Sequence, residues 1–218
     1  MAYTLDFAQI LEPGSTFDGW GESTGVVEPF ELDKVVLPTG RIVGCDPLVN
    51  PGADPYTIAV EPGSYPLVAW VAVFSKGGAE QDRRVAALEL RVSDKPTTTW
   101  EMAVADPESK ISELGDDEYF GYGVDAGCGT LADEAALSPL GEWDYDRTEE
   151  VLIDETDWEG PVPGRADAVT DPATGANVIL VSSGWGDGSY PTFIGRDADG
   201  AVTRFVTDFL VPPDHPEA

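Results

Sequence analysis

Glycine and proline interrupt this chain so often that long helices have little room. The 24 Gly and 18 Pro in 218 residues divide it into short apolar runs, many of which alternate with a period of two. Inside a helix, glycine costs about 1 kcal/mol and proline about 3 kcal/mol relative to alanine, whereas both suit the turns between short strands. The run at 65–74 is apolar on both alternating faces, as expected of a central strand covered on each side. At 85–92, Ala86, Leu88, Leu90 and Val92 oppose Glu89 and Arg91; at 97–104, Trp100, Met102 and Val104 oppose Thr99 and Glu101. These three segments predict an antiparallel meander.

Further strands are predicted at 119–124, 177–182, 190–195 and 201–211, with earlier ones at 34–37, 41–44 and 56–60. Asp197-Ala198-Asp199-Gly200 reads as a hairpin turn joining two of them. It mimics a calcium loop only superficially, because glycine stands at loop position 4 and the twelfth residue, Asp208, is not the bidentate glutamate. Helix is expected only as one or two turns from Ala132 to Leu137, before Pro139. The fold class is therefore all-β or β-dominated α+β: one domain over residues 1–218, built from two packed, mostly antiparallel sheets with short helical turns. The tail 212–218 is expected to be flexible.

Charge narrows the function classes. With 41 Asp+Glu against 12 Lys+Arg the formal net charge is −29, which repels phosphate backbones, and no basic patch is visible. A hydrophobic content of 42% and an aromatic content of 10% count against disorder. No apolar run approaches the roughly 20 residues that span a bilayer. The N-terminus lacks the basic start and apolar core of a signal peptide, which predicts a cytoplasmic protein with Cys45 and Cys128 reduced. The single histidine, His215, lies in the tail, so serine–histidine or cysteine–histidine catalysis and histidine-based zinc sites are disfavoured within this chain. The remaining chemistry belongs to carboxylates, thiols, Tyr, Lys and Arg. Neither a phosphate-binding loop with its lysine nor a dinucleotide fingerprint occurs.

Three glycine-flanked acidic motifs stand out. They are the run from Leu37 through Thr39-Gly40-Arg41 to Gly44-Cys45-Asp46-Pro47, the run Gly121-Tyr122-Gly123-Val124-Asp125-Ala126-Gly127-Cys128-Gly129-Thr130, and Ser182-Ser183-Gly184-Trp185-Gly186-Asp187-Gly188-Ser189-Tyr190. With Pro62-Gly63-Ser64-Tyr65-Pro66, they resemble the bacterial family catalogued as domain of unknown function 4241, over about residues 35–211. The resemblance implies a shared fold and a shared site without supplying a mechanism.

Asp46, Asp125 and Asp187 are the candidate catalytic or metal-binding residues. Converging, they would hold Mg²⁺ or Ca²⁺ through oxygen ligands alone, or act as a general acid and base. The alternative is that each caps a turn through backbone amides. Ligand contact is further assigned to Arg41, Trp185, Asp187, Tyr190 and Asp208. Arg204 and Asp208 share a face four residues apart, too far to pair along one strand, so each faces water, as on an edge strand with one wet face, or a ligand, or a partner from another strand such as Arg41 or Asp187. Trp20, Trp70, Trp100 and Tyr65 read as core, Trp185 as exposed between its glycines, and Cys45 and Cys128 as small buried residues. The stretch 142–159 carries nine acids against Arg147 alone, interleaved with Trp143, Tyr145 and Trp158. It is either a solvated loop or a docking surface for a basic partner. Three functions follow. The first is an acidic binding protein, such as an inhibitor or immunity-type protein covering a basic protein. The second is a carboxylate- or metal-dependent enzyme on a small polar substrate. The third is acidity selected only for solubility in high salt.

Overall fold

The computed structural model of the chain describes residues 1–212; His215 and the tail from 213 lie outside them. Twelve strands form among the described residues. The first six are β1 (Thr16–Asp18), β2 (Thr24–Leu37), β3 (Ile42–Cys45), β4 (Gly63–Lys76), β5 (Ala79–Arg91) and β6 (Thr99–Met102). The others are β7 (Gly121–Val124), β8 (Cys128–Asp133), β9 (Ala166–Asp171), β10 (Ala176–Ser182), β11 (Gly188–Arg196) and β12 (Val202–Asp208). Helix among the described residues is confined to single turns and short pieces: α1 (Phe7–Ile10), α2 (Glu134–Leu140) and α3 (Tyr145–Thr148), the last continuing into a π-helical turn over Glu149–Ile153, with 3-10 turns at Trp20–Glu22 and Ile111–Glu113.

The strands make two antiparallel sheets, as the alternation predicts. The larger has the order β1-β2-β4-β5-β12-β11-β6, with β7 pairing on β11 beside β6. The smaller has the order β3-β8-β10-β9. Parity in the smaller sheet decides which layer each residue serves. Ile42, Leu131, Ile179 and Val181 join the main core against the larger sheet. Their neighbours Val43, Cys45, Ala132, Val178 and Leu180 face a second core, closed by Ala136, Leu137 and Leu140 of α2 and by Leu152. The N-terminal segment covers part of the larger sheet: Phe7 stacks on Trp100 with centroids 3.6 Å apart and meets Phe193 edge-on.

Several expectations are corrected. The predicted meander stops after two strands, because β12 pairs with β5 and β6 pairs with β11 instead. The chain passes from β5 to β6 over the β11–β12 hairpin, where Lys95 Nζ lies 2.6 Å from Asp197 Oδ2 and the Thr97 and Thr203 hydroxyls meet at 2.6 Å. Residues 56–60 form no strand; Tyr56 and Val60 donate single bonds to Ile42 and Gly40. The sequence pattern does not predict strands β1, β8 and β9, residues 24–33 of β2 or residues 79–84 of β5. The helix begins at Glu134 and contains Pro139 rather than ending before it. Trp70 is core, but Trp20 is 48% exposed, while Trp100 and Tyr65 are half-buried.

Asp208 and Arg204 do not lie on a wet edge, since β12 sits between β5 and β11. Asp208 is fully buried, accepting from Tyr3 Oη at 2.6 Å and from the Leu210 amide at 2.9 Å. Arg204 meets Glu89, a residue whose strand pattern looked solvent-facing. Glu89 is completely buried and accepts from Arg204 Nη1 at 2.8 Å and from Trp70 Nε1 at 2.8 Å, with Arg91 Nη2 at 3.3 Å. Removing one member of such a set strands the others in low dielectric. Glu89→Ala is expected to lower unfolding free energy in urea by about 3 kcal/mol, and a loss below about 1 kcal/mol would show the set to be dispensable.

Candidate binding surface

The three glycine-flanked motifs do meet, and Asp46 is where two of them join. Its carboxylate is wholly buried. Oδ2 accepts from the Asp125 amide at 3.0 Å and the Ala126 amide at 2.7 Å; Oδ1 accepts from the Leu48 amide at 3.0 Å and Cys128 Sγ at 3.4 Å. The third motif closes on the second through the Ser183 amide, which donates to Gly127 O at 3.0 Å. Asp133 does similar work for the first motif, accepting from the Thr39 and Gly40 amides while capping α2 through the Ala135 amide.

These contacts place each predicted site residue. Asp46 is a turn anchor with four donors, while Asp125 and Asp187 are exposed, one residue beyond the Val124–Gly188 pair that ends the β7–β11 ladder. Among the described residues, no three His, Cys, Asp or Glu side chains are arranged to hold a metal ion; Asp46 spends both oxygens on loop donors. Arg41 is a surface residue 3.3 Å from Glu134. Tyr190 is buried, its hydroxyl donating to the carbonyls of Gly186 at 2.7 Å and Ser183 at 3.1 Å. Asp208 faces Tyr3, not Arg41 or Asp187.

Trp185 is exposed as its glycines imply, and the structure shows what holds it there. Gly184 has φ +51°, and a Cβ at that position would overlap the Phe209 carbonyl, so the turn excludes any larger residue. The Ser183 hydroxyl joins Tyr190 in binding Gly186 O, at 2.8 Å. The loop thus presents an indole that remains 49% exposed. Arg84 lies over its ring at 5.1 Å and Trp20 meets it edge-on at 5.2 Å. The sequence places Trp20 in the core and gives no sign of Arg84, because nothing local links residues 20, 84 and 185.

Beside this platform runs an open groove of about 600 Å³, lined by Glu80, Asp82, Arg83, Arg84, Trp158 and Ser182 among others. Both arginines are already paired, Arg83 Nε with Glu80 at 2.6 Å and Arg84 Nε with Asp82 at 2.7 Å. Trp158, the far wall, stands 66% exposed at the end of the acidic stretch. Asp144 and Asp157 in that stretch cap backbone amides, and Arg147 lies over the Trp143 ring at 4.1 Å. Tyr145 is 69% exposed and Ile153 also points outward. None of the nine carboxylates from 142 to 159 enters an ion pair among the described residues, whereas acids elsewhere take every acidic place in the ion pairs that do form.

Cys45 and Cys128 are free and buried. Burial, reinforced by Asp46, pushes the Cys45 thiol up to about 12 and raises Cys128 further. The folded protein therefore keeps protons that the unfolded chain releases above the ordinary thiol range of about 8.5. That stabilisation is complete below this range and is lost as pH rises toward the folded values. Native protein at pH 8 should leave both thiols unmodified by a disulfide reagent and release two equivalents in denaturant, and stability should fall between about pH 9 and 12; rapid native labelling would refute this picture. Asp46→Ala removes acceptors from buried donors and should cost about 3 kcal/mol, with faster hydrogen exchange at the Asp125 and Ala126 amides. Unchanged exchange there would show that Asp46 does not hold the turn.

Among the described residues no helix is long and apolar enough to cross a membrane. A family model described as "Protein of unknown function (DUF4241)" matches residues 35–207. No curated protein and no solved structure gives a significant match.

Proposed function

The chain belongs to the DUF4241 family, and from that premise we propose that it is a binding protein whose 142–159 face docks a basic protein partner, as an inhibitor or immunity-type protein would. One observation carries this reading. The stretch richest in acids is left without ion pairs among the described residues, and it also exposes Tyr145, Ile153 and Trp158. Solubility alone accounts for exposed carboxylates but not for large rings held among them. Exposed aromatics ringed by charge are the composition of interface hot spots, where rings supply affinity and charge supplies steering. A partner's lysines and arginines would meet the carboxylates, and their side-chain cations suit the faces of Tyr145 and Trp158.

The test uses a labelled decalysine peptide and a lysine-rich protein as probes. Affinity is expected to fall steeply from low to physiological salt. The triple reversal Glu150→Lys, Asp154→Lys, Glu155→Lys should weaken binding at least tenfold. The same change of net charge made at Glu12, Asp18 and Glu108 should have little effect. Trp158→Ala should weaken the protein probe by about 1–2 kcal/mol while leaving the fold intact. Equal losses from the two triple reversals would overturn the proposal, because they would reduce the effect to the general field of an acidic protein.

A further inference from the structure

A second concave site lies on the other side of the Asp46 anchor, where the first two glycine motifs meet. It is a cavity of about 400 Å³ whose lining includes Gly44, Asp54, Tyr56, Asp106, Phe120, Tyr122 and Thr192. That volume falls in the range of small-molecule pockets. Two motifs build it from within. The 47–50 turn that leads to its rim is fixed by Asp46, which takes the Leu48 amide on Oδ1 and the Asn50 amide on its carbonyl. Gly121 and Tyr122 are the strand that follows Phe120.

The floor is ordered. Tyr56 Oη donates to Thr192 Oγ1 at 2.7 Å, and the Thr192 and Thr207 hydroxyls share a further bond at 2.8 Å. The Tyr56 ring stacks over Phe205 at 6.1 Å. Since its proton is committed to Thr192, the Tyr56 oxygen keeps lone pairs to accept from a ligand. Gly44 belongs to the same floor, because a Cβ there would overlap Tyr56 Oη and press the Tyr122 ring at 3.0 Å. Tyr122 Oη is buried with no hydrogen bond of normal geometry.

The lining chemistry has one sign. It holds three aromatic rings, Tyr56, Phe120 and Tyr122, and two exposed carboxyl groups, Asp54 and Asp106, but no lysine or arginine. An anion would meet both acids unpaired, and a purely apolar ligand would gain nothing from them. A cation gains from the ring faces and from the acids together, and the net charge of −29 raises its local concentration. We propose that this cavity binds a small organic ammonium ion. The site is separate from the 142–159 face and stands whether or not a basic protein docks there.

Thermal shift and calorimetry with choline and putrescine test it, each against its neutral counterpart, dimethylbutanol and butanediol. At least one cation is expected to raise the melting temperature and give a saturable isotherm, with no effect from the neutral molecules. The double variant Asp54→Asn, Asp106→Asn should weaken binding at least tenfold. Ala105→Trp, at an exposed lining position, should abolish it while circular dichroism stays native. Glu12→Gln, Asp18→Asn, remote from the cavity, should leave it unchanged. The proposal is overturned if neither cation binds, if a neutral counterpart stabilises equally, if the remote pair weakens binding as much, or if Ala105→Trp leaves it intact.

Discussion

Buried carboxyl groups that accept from backbone amides hold this fold's loops together. Asp46 takes donors from residues 48, 125, 126 and 128, so one side chain fixes the end of β3, the turn after it and the β7–β8 connection. Asp133 does the same for the Thr39–Gly40 turn and the start of α2. Asp208 ties the end of β12 to the N-terminal segment. Turns carry amides that no ladder satisfies, and burying them without acceptors is costly. A chain with many aspartates has acceptors to place there, and the donors in turn make burial of the acid tolerable.

Once the loops are fixed, the two concave features follow. The Asp46 knot sets the rim of the aromatic cavity on one side. The Ser183–Gly186 turn, docked onto Gly127 and capped by Tyr190, sets out Trp185 on the other. The glycine motifs are thus structural joints whose by-product is a surface with rings on it. That accounts for Asp46, whose oxygens take donors from residues 48, 125, 126 and 128.

What was legible in the sequence was what alternation and local turn chemistry encode. The apolar runs of β4, β10 and β12, the 197–200 hairpin, the exposure of Trp185 and the burial of both cysteines all rest on residues adjacent in the chain. Long-range partners were not legible. Glu89 alternates like a solvent-facing residue, and only the pairing of β12 with β5 and of β5 with β4 brings Arg204 and Trp70 to it. The meander failed for the same reason, since no local signal says that the two strands β11 and β12 from the C-terminal part will intervene between β5 and β6. Trp20 reads as core by residue type, but the rings it meets, Phe74 and Trp185, come from distant segments and leave it 48% exposed.

The acids then divide by role. Buried ones complete hydrogen bonds, many exposed ones pair with the few cations, and those of 142–159 remain uncompensated beside exposed rings. The last group is where the proposed docking face would lie, which makes location, rather than affinity, the most direct test. Hydrogen exchange of the free protein and of its complex with a lysine-rich protein would read it amide by amide. The account predicts protection concentrated in residues 144–160 and at the Trp158 side of the groove. Protection spread evenly over the acidic surface, or confined to the Trp20–Trp185 platform, would contradict it.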